Sequence, residues 1–535
     1  MAKWKTVSLL CCTLAYFHLS IANFFQGEGD VGDLCPPITL AIEFREHAHV
    51  LPYFFGWLEN VDYPKEKIYL ELFINGKEDS TADQVTWWQS SVQNLFGKIN
   101  LHTHVENWLE DGLRAARLRK RKRILFLTGD TLPDNEKLLR NLRKLQHIAI
   151  IPYMQSAPFR QKTNVNLTLE KGKTYEIEEN EATLPLYLNL EHSDISYLTF
   201  DQGNLFIEYN GPPKPLAVFE ESCRRMDVKI FVSAENYHGY WLEPQKSIQA
   251  HRWLMRYLAA DWAADRGAHA QIHSRSVRPF REEPSKLGFD EIFLINLERR
   301  KDRLRRAEEI MGILGIDFQL WKATDGHNLP QDLAMHYLPG YLDPFHQRPM
   351  KAGEIGCFLS HYRIWEEIVK RGLKKTIVFE DDIRVTADGL QVLKETMEDL
   401  GKKREPWDFV YLGRKINSAE GEFFVTGHRH LSTIGYSYWT LGYMISLDGA
   451  KKLLATEPLK RLLPVDEYLP IMYNKHPNKE WASNFVGYEK LIAYATHPVV
   501  VVPQRYTFQE GYVSDTEASH IVTLQNPTPA VHNEL

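Results

Sequence analysis

The stretch TIVFEDD, residues 376–382, joins a short apolar run to three consecutive acidic side chains. An apolar run that leads directly into acids is typical of a buried strand whose carboxyl end lies at a ligand site. Residues two apart on an extended segment share a side, so Glu380 and Asp382 are expected to act together while Asp381 faces elsewhere. Such a pair suits a hard divalent cation, Mn²⁺ or Mg²⁺, that bridges to a diphosphate. A solvated acidic turn is the alternative.

Strand and helix patterns alternate around this stretch. Residues 292–295 form another continuous apolar run, and residues 301–314 carry one apolar face at helical spacing. Buried strands that alternate with amphipathic helices predict an α/β protein with parallel sheet units. The pattern occurs twice, over residues 36–270 and 288–510, with a charged, proline-containing linker at 271–287.

The two ends of the chain carry segments typical of targeting. Residues 1–22 resemble a cleaved secretory signal, although an uncleaved signal anchor is the alternative. No other stretch is long and apolar enough to span a bilayer, so the mature chain is expected to be soluble. Residues 511–535 are predicted to be an irregular tail, and its end, HNEL at 532–535, resembles the KDEL class of retrieval tetrapeptides. Together these segments predict residence in the endoplasmic reticulum lumen through a retrieval receptor.

Composition excludes some functions. The net charge of −6 is spread evenly, which is no signature of a nucleic-acid-binding protein. The basic run at 114–123 is interpreted as a solvated helix face, with an anionic partner as the alternative. Asn166 begins a glycosylation sequon that is usable only in an exposed luminal loop. Three cysteines follow the signal, and their odd number leaves at least one thiol unpaired: Cys35, Cys223 and Cys357.

Other polar residues of the second half are candidates for binding and catalysis. Asn296, Arg300 and Arg303 follow its first strand at the start of a helix, where N–H groups and guanidinium forks suit phosphate oxygens. A charged first helical turn is the alternative interpretation. Asp325 follows a later strand and suits a ribose or a base. His361 lies within an apolar helix and is interpreted as a core histidine rather than a ligand.

Two further acids, Asp466 and Glu467, interrupt an apolar stretch. Either side chain suits a general base whose pKa is tuned by burial. A pair of acids at a helix N-terminus is the alternative, and the sequence leaves both interpretations open.

Several segments of the second half resemble a known family. They are FDEIFLINL at 289–297 with RR at 299–300, KAGEIGCFLSHY at 351–362, VFEDD at 378–382, WDFVYLGRK at 407–415, GYSYWT at 435–440 and LPVDE at 463–467. In order and number they resemble glycosyltransferase family 25, whose animal members are procollagen galactosyltransferases. The resemblance extends over about residues 289–516.

This resemblance implies two GT-A-like (Rossmann-type) domains in tandem. It also implies transfer of galactose from UDP-galactose to hydroxylysine of collagen, with Mn²⁺ and with inversion. Glu380 and Asp382 would then hold the metal beside the leaving diphosphate, and Asp466 or Glu467 would be the base. Donor binding would fall to Asn296, Arg300, Arg303 and Asp325.

The first half departs from the family pattern. Relatives carry an Asp-Thr-Asp-Asn run where this chain has TGDT at 128–131, and paired aspartates where it has Lys214. One acid, Asp130, remains of several, so this half is predicted to be degenerate and kept for stability, homodimer formation or acceptor binding. A catalytically silent luminal or adhesion-type member is the competing prediction. Fold and motif do not fix the sugar or the acceptor.

Overall fold

The computed structural model describes residues 35–522 except for residues 77, 158–163, 166–168, 178–181, 207, 244–246, 267–272, 330–334 and 508. The predicted signal, the Asn166 sequon and the HNEL end therefore lie outside the described residues. Contacts divide the chain into two units: Met1–Gln155, Lys162–Trp241 and Arg275–Val277 form the first, and Ser156–Gln161, Leu242–Ser274 and Arg278–Leu535 form the second. Within the described residues, no helix has both the length and the hydropathy needed to cross a lipid bilayer.

An eight-stranded sheet forms the centre of the first unit. The strands of this half of the chain are β1 (Ile38–Phe44), β2 (Ile68–Ile74), β3 (Lys98–Thr103), β4 (Arg123–Thr128), β5 (Thr131–Pro133), β6 (Ala149–Pro152), β7 (Gln155–Ala157), β8 (Thr174–Glu176), β9 (Leu186–Asn189), β10 (Ile230–Ser233) and β11 (Gly239–Leu242). The sheet has the order β3-β2-β1-β4-β9-β6-β10-β8. β1 is almost entirely buried and pairs in parallel with β2 and β4.

Amphipathic helices complete the first unit. They are Leu51–Asn60, Thr81–Val92, Trp108–Leu118, Leu138–Lys144 and Pro215–Arg225, with 3₁₀ turns at Lys65–Lys67, Ser193–Tyr197 and Gln202–Asn204. The third of these helices begins where the Asn107 side chain accepts a hydrogen bond from Glu110 N at 3.2 Å. It buries Leu109 and Leu113 against the sheet core.

The second unit is built on a seven-stranded sheet. The strands of this unit are β12 (Glu291–Asn296), β13 (Gln319–Lys322), β14 (Lys375–Glu380), β15 (Ile383–Val385), β16 (Phe409–Ser418), β17 (Leu431–Thr433), β18 (Tyr436–Ser446), β19 (Ala493–Thr496) and β20 (Val501–Pro503). The sheet order is β13-β12-β14-β18-β16-β19-β17. β12 pairs in parallel with β13 and β14, and β14 pairs antiparallel with β18.

The helices of the second unit are Ile248–Arg266, Lys301–Leu314, Ala352–Arg371, Gly389–Lys403, Leu447–Ala455, Val465–Met472 and Lys479–Ser483, with 3₁₀ turns at Gly326–Asn328 and Pro458–Arg461. The longest, Ala352–Arg371, begins where the Glu354 side chain accepts from Lys351 N at 2.7 Å. It ends at Gly372, whose φ of +67° favours glycine. Its buried face, including Phe358 and Trp365, packs into the core beside β14.

The α/β class predicted from the sequence is confirmed. Each unit contains a buried strand flanked on both sides by parallel strands, β1 in the first and β12 in the second. The finer prediction, two GT-A-like domains of which the first is degenerate, stays a prediction. The first half was predicted to extend to residue 270, but the helix Ile248–Arg266 belongs to the second unit. It is held there because Trp253 Nε1 donates to Ala387 O at 2.8 Å and Arg256 Nε donates to Ile313 O at 3.1 Å.

Two further segments lie outside the seven-stranded sheet. β20 pairs with β15 in a separate two-stranded sheet. The described part of the tail, residues 511–522, is irregular yet packed against the start of the helix Ala352–Arg371. Ala352 N donates to His520 O at 2.8 Å, and Gly353 N donates to Ser519 Oγ at 2.9 Å. A Cβ on Gly353 would lie 2.6 Å from Thr516 Cα, so this close approach requires glycine.

Candidate functional site

β14 carries the three acids to the edge of the second sheet. The strand lies between β12 and β18, and its residues from Thr376 to Phe379 are buried. Its pairing with β18 ends opposite Gly442, so the segment from Glu380 onward continues beyond that pairing. The acids therefore stand where ligands bind in open α/β sheets, outside the carboxyl end of a central strand.

Two residues of the β12 side face the acids. Asn296 Nδ2 donates to Asp381 Oδ2 at 2.6 Å. Arg303 Nη1 lies 3.2 Å from Asp381 Oδ1 and 3.2 Å from Asp382 Oδ2. Asp381 thus turns toward Asn296, but it shares one guanidinium with Asp382. A single arginine for two carboxylates leaves negative charge at this edge that a bound cation would offset.

Asp382 has an oxygen available to a cation. Its Oδ1 atom is buried and has no hydrogen-bond partner among the residues that the structure describes. Burial, followed by the negative charge of Glu380, raises the pKa of Asp382 to about 7. A hard divalent ion would satisfy this oxygen and favour the charged carboxylate. Glu380 and Asp382 therefore fit such an ion.

Glu380 has a different set of neighbours. Thr440 Oγ1 donates to Glu380 Oε1 at 2.6 Å, and His361 Nε2 lies 3.5 Å from the same oxygen. Burial opposes ionisation of this carboxyl, but His361 and Thr440 hold its pKa below its usual range. Glu380 is therefore charged at neutral pH.

A bulge in β18 aims two successive residues at the carboxylates. Gly413 and Lys415, two residues apart on β16, pair with Gly442 and Tyr438, which are four residues apart on β18. Trp439 lies inside this bulge with a φ of +76°, in the left-handed region that non-glycine residues rarely adopt. Its N–H donates to Asp466 Oδ1 at 3.0 Å, and the next residue is the Thr440 donor described above.

Glu467 is fully engaged by its neighbours. Its side chain is buried within the first turn of the helix Val465–Met472. Tyr436 Oη donates to Oε2 at 2.9 Å, His476 Nε2 lies 2.8 Å from the same atom, and Tyr438 Oη donates to Oε1. Three neighbours on two oxygens make Glu467 a structural anchor rather than a group open to substrate.

Asp466 is better suited to accept a proton. Burial raises the pKa of this carboxyl to about 7, and the negative charges of Glu380 and Glu467 add to the effect. A base that ionises near neutral pH combines the correct protonation state with useful basicity. The structure therefore separates the two acids that the sequence left as alternatives.

An arginine cluster, Arg299, Arg300 and Arg303, lies at the start of the helix Lys301–Leu314. Asp515 meets all three: its carboxylate oxygens lie 3.0 Å from Arg299 Nη2, 2.6 Å from Arg300 Nη1 and 3.8 Å from Arg303 Nη2. Arg303 Nη2 also donates to Val513 O at 2.6 Å. Three guanidinium groups around one carboxylate form a site that prefers oxyanions.

Asp325 flanks this cluster. It forms an ion pair with Arg299 and accepts from His327 N at 3.0 Å, which starts the turn Gly326–Asn328. A pocket of about 810 Å³ opens beside it, large enough for a nucleoside. The pocket is lined by Glu298, Arg299, Lys322, Ala323, Thr324, Asp325, Asn328, Leu359, Tyr362, Arg363, Glu366 and Leu459.

Two family models match the chain. One, glycosyltransferase family 25 (LPS biosynthesis protein), matches residues 289–469, and the other, glycosyltransferase family 25, N-terminal domain, matches residues 35–109. A glycosyltransferase 25 family member of Anopheles gambiae is 33% identical, over 92% of this chain and 90% of that protein. This chain belongs to glycosyltransferase family 25.

Other members of the family differ in their reported activity. Procollagen galactosyltransferase 2 of Mus musculus is 33% identical over 91% of this chain and 84% of its own length. Inactive glycosyltransferase 25 family member 3 of Homo sapiens is 31% identical over 94% of this chain and 91% of its own length. A solved structure, S. aureus TarS 1-349 in complex with UDP, overlaps with a TM-score of 0.28 at 11% identity over 42% of this chain and 64% of that chain, too little to add to the fold described above.

In this family 25 member, most of the predicted site residues lie at one edge of the second sheet. They are Asn296, Arg300, Arg303, Glu380, Asp382 and Asp466. His361 is buried, as expected of a core histidine, but it also faces Glu380. Sequence reasoning missed Thr440, because the left-handed residue of the bulge that aims it is Trp439 rather than a glycine. It also missed Asp515, which is 215 residues away from Arg300 along the chain.

The first unit of this family 25 member keeps Asp130 at the end of β4. Asp130 Oδ1 lies 3.2 Å from His47 Nε2, and half of the Asp130 side chain is exposed. His47 packs against Gly129, where a Cβ would lie 2.3 Å from the imidazole. The imidazole of His47 therefore lies beside Asp130, the acid that remains in the first half. Lys214, which precedes the helix Pro215–Arg225, is exposed.

Proposed function

We propose that this family 25 member transfers galactose from UDP-galactose to hydroxylysine of collagen, with inversion, in the endoplasmic reticulum lumen. The observation that carries the proposal is the grouping of Glu380, Asp382 and Asp466 at the carboxyl end of β14. The relatives named procollagen galactosyltransferase 2 in Mus musculus and Homo sapiens support the sugar and the acceptor. The signal-like start and the HNEL end support the compartment and a retrieval receptor as partner.

Metal binding is assigned to Glu380 and Asp382. The buried and unsatisfied Oδ1 of Asp382 supports this assignment. When Mn²⁺ is bound, its charge stabilises the diphosphate that leaves. Arg303 holds Asp382 through the other carboxylate oxygen, which leaves the buried Oδ1 for a cation.

Donor recognition is assigned to the arginine cluster and its neighbours. Guanidinium forks bind phosphate oxygens in pairs. Arg300 Nη1 lies 2.6 Å from one carboxylate oxygen of Asp515, and Arg303 Nη2 lies 3.8 Å from the same oxygen, so both groups already face an oxyanion. Asn296 holds Asp381 and thereby keeps the strand end in place. Asp325, beside the pocket, is assigned to the ribose or the base.

Asp466 is assigned as the general base. It takes the proton of the hydroxylysine hydroxyl while the oxygen of that hydroxyl forms its bond to the sugar. The bond between the sugar and the diphosphate breaks in the same step, and its electron pair leaves with UDP, so one displacement inverts the anomeric centre. Glu467 keeps Tyr436, Tyr438 and His476 in place behind Asp466.

A catalytically silent member is the second candidate. The observation that favours it is the similarity of this chain to a relative named inactive in Homo sapiens, at 31% identity. The unbroken triplet at 380–382 and the elevated pKa of Asp466, about 7, favour the active enzyme.

A transfer assay decides between the two. Purified protein with Mn²⁺ is given a panel of UDP-sugars and paired collagen peptides that carry hydroxylysine or lysine. Transfer from UDP-galactose to the hydroxylysine peptide alone is expected. Transfer from another UDP-sugar would correct the donor, and no transfer from any donor by a folded sample would support the silent member.

A further inference from the structure

A second group of ligand atoms lies behind the acidic triplet. Cys357 and His361 are four residues apart on the helix Ala352–Arg371, so both side chains point toward the end of β14, where Glu380 lies. The ligand atoms of these three residues lie within 4.8 Å of one another. Within the described residues, this is the one set of three or more His, Cys, Asp or Glu side chains so arranged. We call these three residues the cysteine cluster.

The spacing between His361 and Glu380 suits a shared metal better than a hydrogen bond. His361 Nε2 and Glu380 Oε1 are 3.5 Å apart. A good N–H···O bond is about 2.9 Å long. Two ligands bound tetrahedrally to one Zn²⁺ lie about 3.4–3.6 Å apart, as the Zn–N, Zn–O and Zn–S bond lengths dictate. The imidazole and the carboxylate already have this separation, and the thiol must approach them by up to about an ångström.

The neighbouring side chains orient these ligands. His361 Nδ1 lies 2.9 Å from Tyr443 Oη, and Trp365 Nε1 donates to the same oxygen at 3.1 Å. A metal-binding histidine is usually held by a hydrogen bond at its other ring nitrogen. Metal binding at Nε2 would place the imidazole proton on Nδ1, where it donates to Tyr443 Oη. The cation would then replace His361 as the group that keeps Glu380 ionised.

The three ligand types indicate which ion would bind. Sulfur and imidazole nitrogen favour Zn²⁺ over the harder Mn²⁺. We propose that the cysteine cluster binds one Zn²⁺-class ion, with Cys357 giving up its proton to solvent as the metal–sulfur bond forms. Because Glu380 is shared with the Glu380–Asp382 pair, zinc bound here opposes a second divalent ion at that pair. This proposal does not depend on transfer activity, since metal binding is measured without substrate.

The test uses the full chain after removal of bound metal by a chelator. Zinc is titrated against a chromophoric chelator, and Co²⁺ is added to a second sample as a spectroscopic substitute. We expect one zinc ion per chain and a sulfur-to-cobalt charge-transfer band in the near ultraviolet. Cys357→Ser removes the band and weakens zinc binding at least tenfold, and His361→Gln also weakens it at least tenfold. Cys223→Ser, which changes a buried free cysteine of the first unit, leaves both readouts unchanged.

Other results overturn the proposal. They are the absence of a charge-transfer band in the unmodified chain, or zinc binding that Cys357→Ser and His361→Gln leave intact. The first readout stands even where Cys357→Ser does not fold, and Cys357→Ala provides a second substitution at the same position. A zinc-free sample that is supplied with Mn²⁺ and shows no transfer, beside intact zinc binding in a separate sample, would refute the proposed function alone.

Discussion

Asp466→Asn and Glu467→Gln, compared side by side, test which acid is the base. Each substitution keeps the shape of the side chain and removes its charge. Asp466→Asn removes the proton acceptor, so transfer is expected to fall about 10²- to 10⁴-fold, the usual range for a general base. The amide oxygen still accepts from Trp439 N, so the bulge in β18 keeps its bond.

Glu467→Gln is expected to lower the stability of the protein more than its transfer activity. The amide NH₂ replaces one of the two oxygens that receive Tyr436, Tyr438 and His476, so one buried donor faces another donor. An unsatisfied buried donor costs about 1–3 kcal/mol. For a unit of this size the melting temperature is then expected to fall by about 3–10 °C. Transfer by the folded fraction falls far less than in Asp466→Asn.

The pH dependence of stability gives a second comparison. In metal-free protein the pKa of Asp466 is raised from 3.8 to about 7, so the wild type loses stability as pH rises through that window. Asp466→Asn has no such loss, so its melting temperature relative to wild type rises between those pH values. Near-normal transfer by Asp466→Asn, beside a well-folded and inactive Glu467→Gln, would refute the assignment of the base.

Four further predictions address the rest of the chain. Asp382→Ala, and more mildly Glu380→Ala, abolish Mn²⁺-dependent transfer without a large change in melting temperature, and normal turnover by either folded variant contradicts the metal assignment. Deletion of residues 532–535 releases the protein into the medium, measured by blotting; equal retention of both forms assigns retention to another cause. Asp130→Ala leaves transfer nearly intact, since Thr128 and Lys214 stand where relatives carry the other acids that a diphosphate-binding metal needs; loss by orders of magnitude in a folded sample, beside an active Asp382→Ala, places the chemistry in the first unit. Asp515→Asn tightens UDP binding up to about fivefold by calorimetry, the equivalent of the ~1 kcal/mol of a partly exposed ion pair; weaker binding shows that Asp515 supports the site instead.

Local sequence patterns were sufficient to predict the strands that position the site, β12 and β14. The runs at 292–295 and 377–379 are apolar throughout because both faces of β12 and β14 are buried, and each appears in a strand where it was predicted. The acids at 380–382 follow from the same pattern, since charged residues directly after a buried strand must reach solvent or a partner.

The contacts that distinguish Asp466 from Glu467 come from residues that are distant in the sequence, so the sequence alone did not predict them. Asp466 and Glu467 are adjacent and alike in sequence, and their difference arises from Tyr436, Tyr438 and His476, which other elements bring in. The placement of the helix Ile248–Arg266 likewise depends on bonds to residues of the second unit rather than on the polar stretch that follows the helix.

The C-terminal segment gives the arginine cluster a built-in competitor. Asp515 is attached to the same chain, so the cluster faces its carboxylate at an effective concentration in the millimolar range. Any diphosphate that binds there must first displace this carboxylate. The measured affinity is therefore lower than that of a cluster without Asp515, by a factor set by the equilibrium constant of the internal contact. The same factor applies to the donor and to the released nucleotide, because both present a diphosphate to the same arginines. Under the proposed function, Asp515 would thus lower the affinity for the donor and for the released nucleotide alike, and would limit retention of the product.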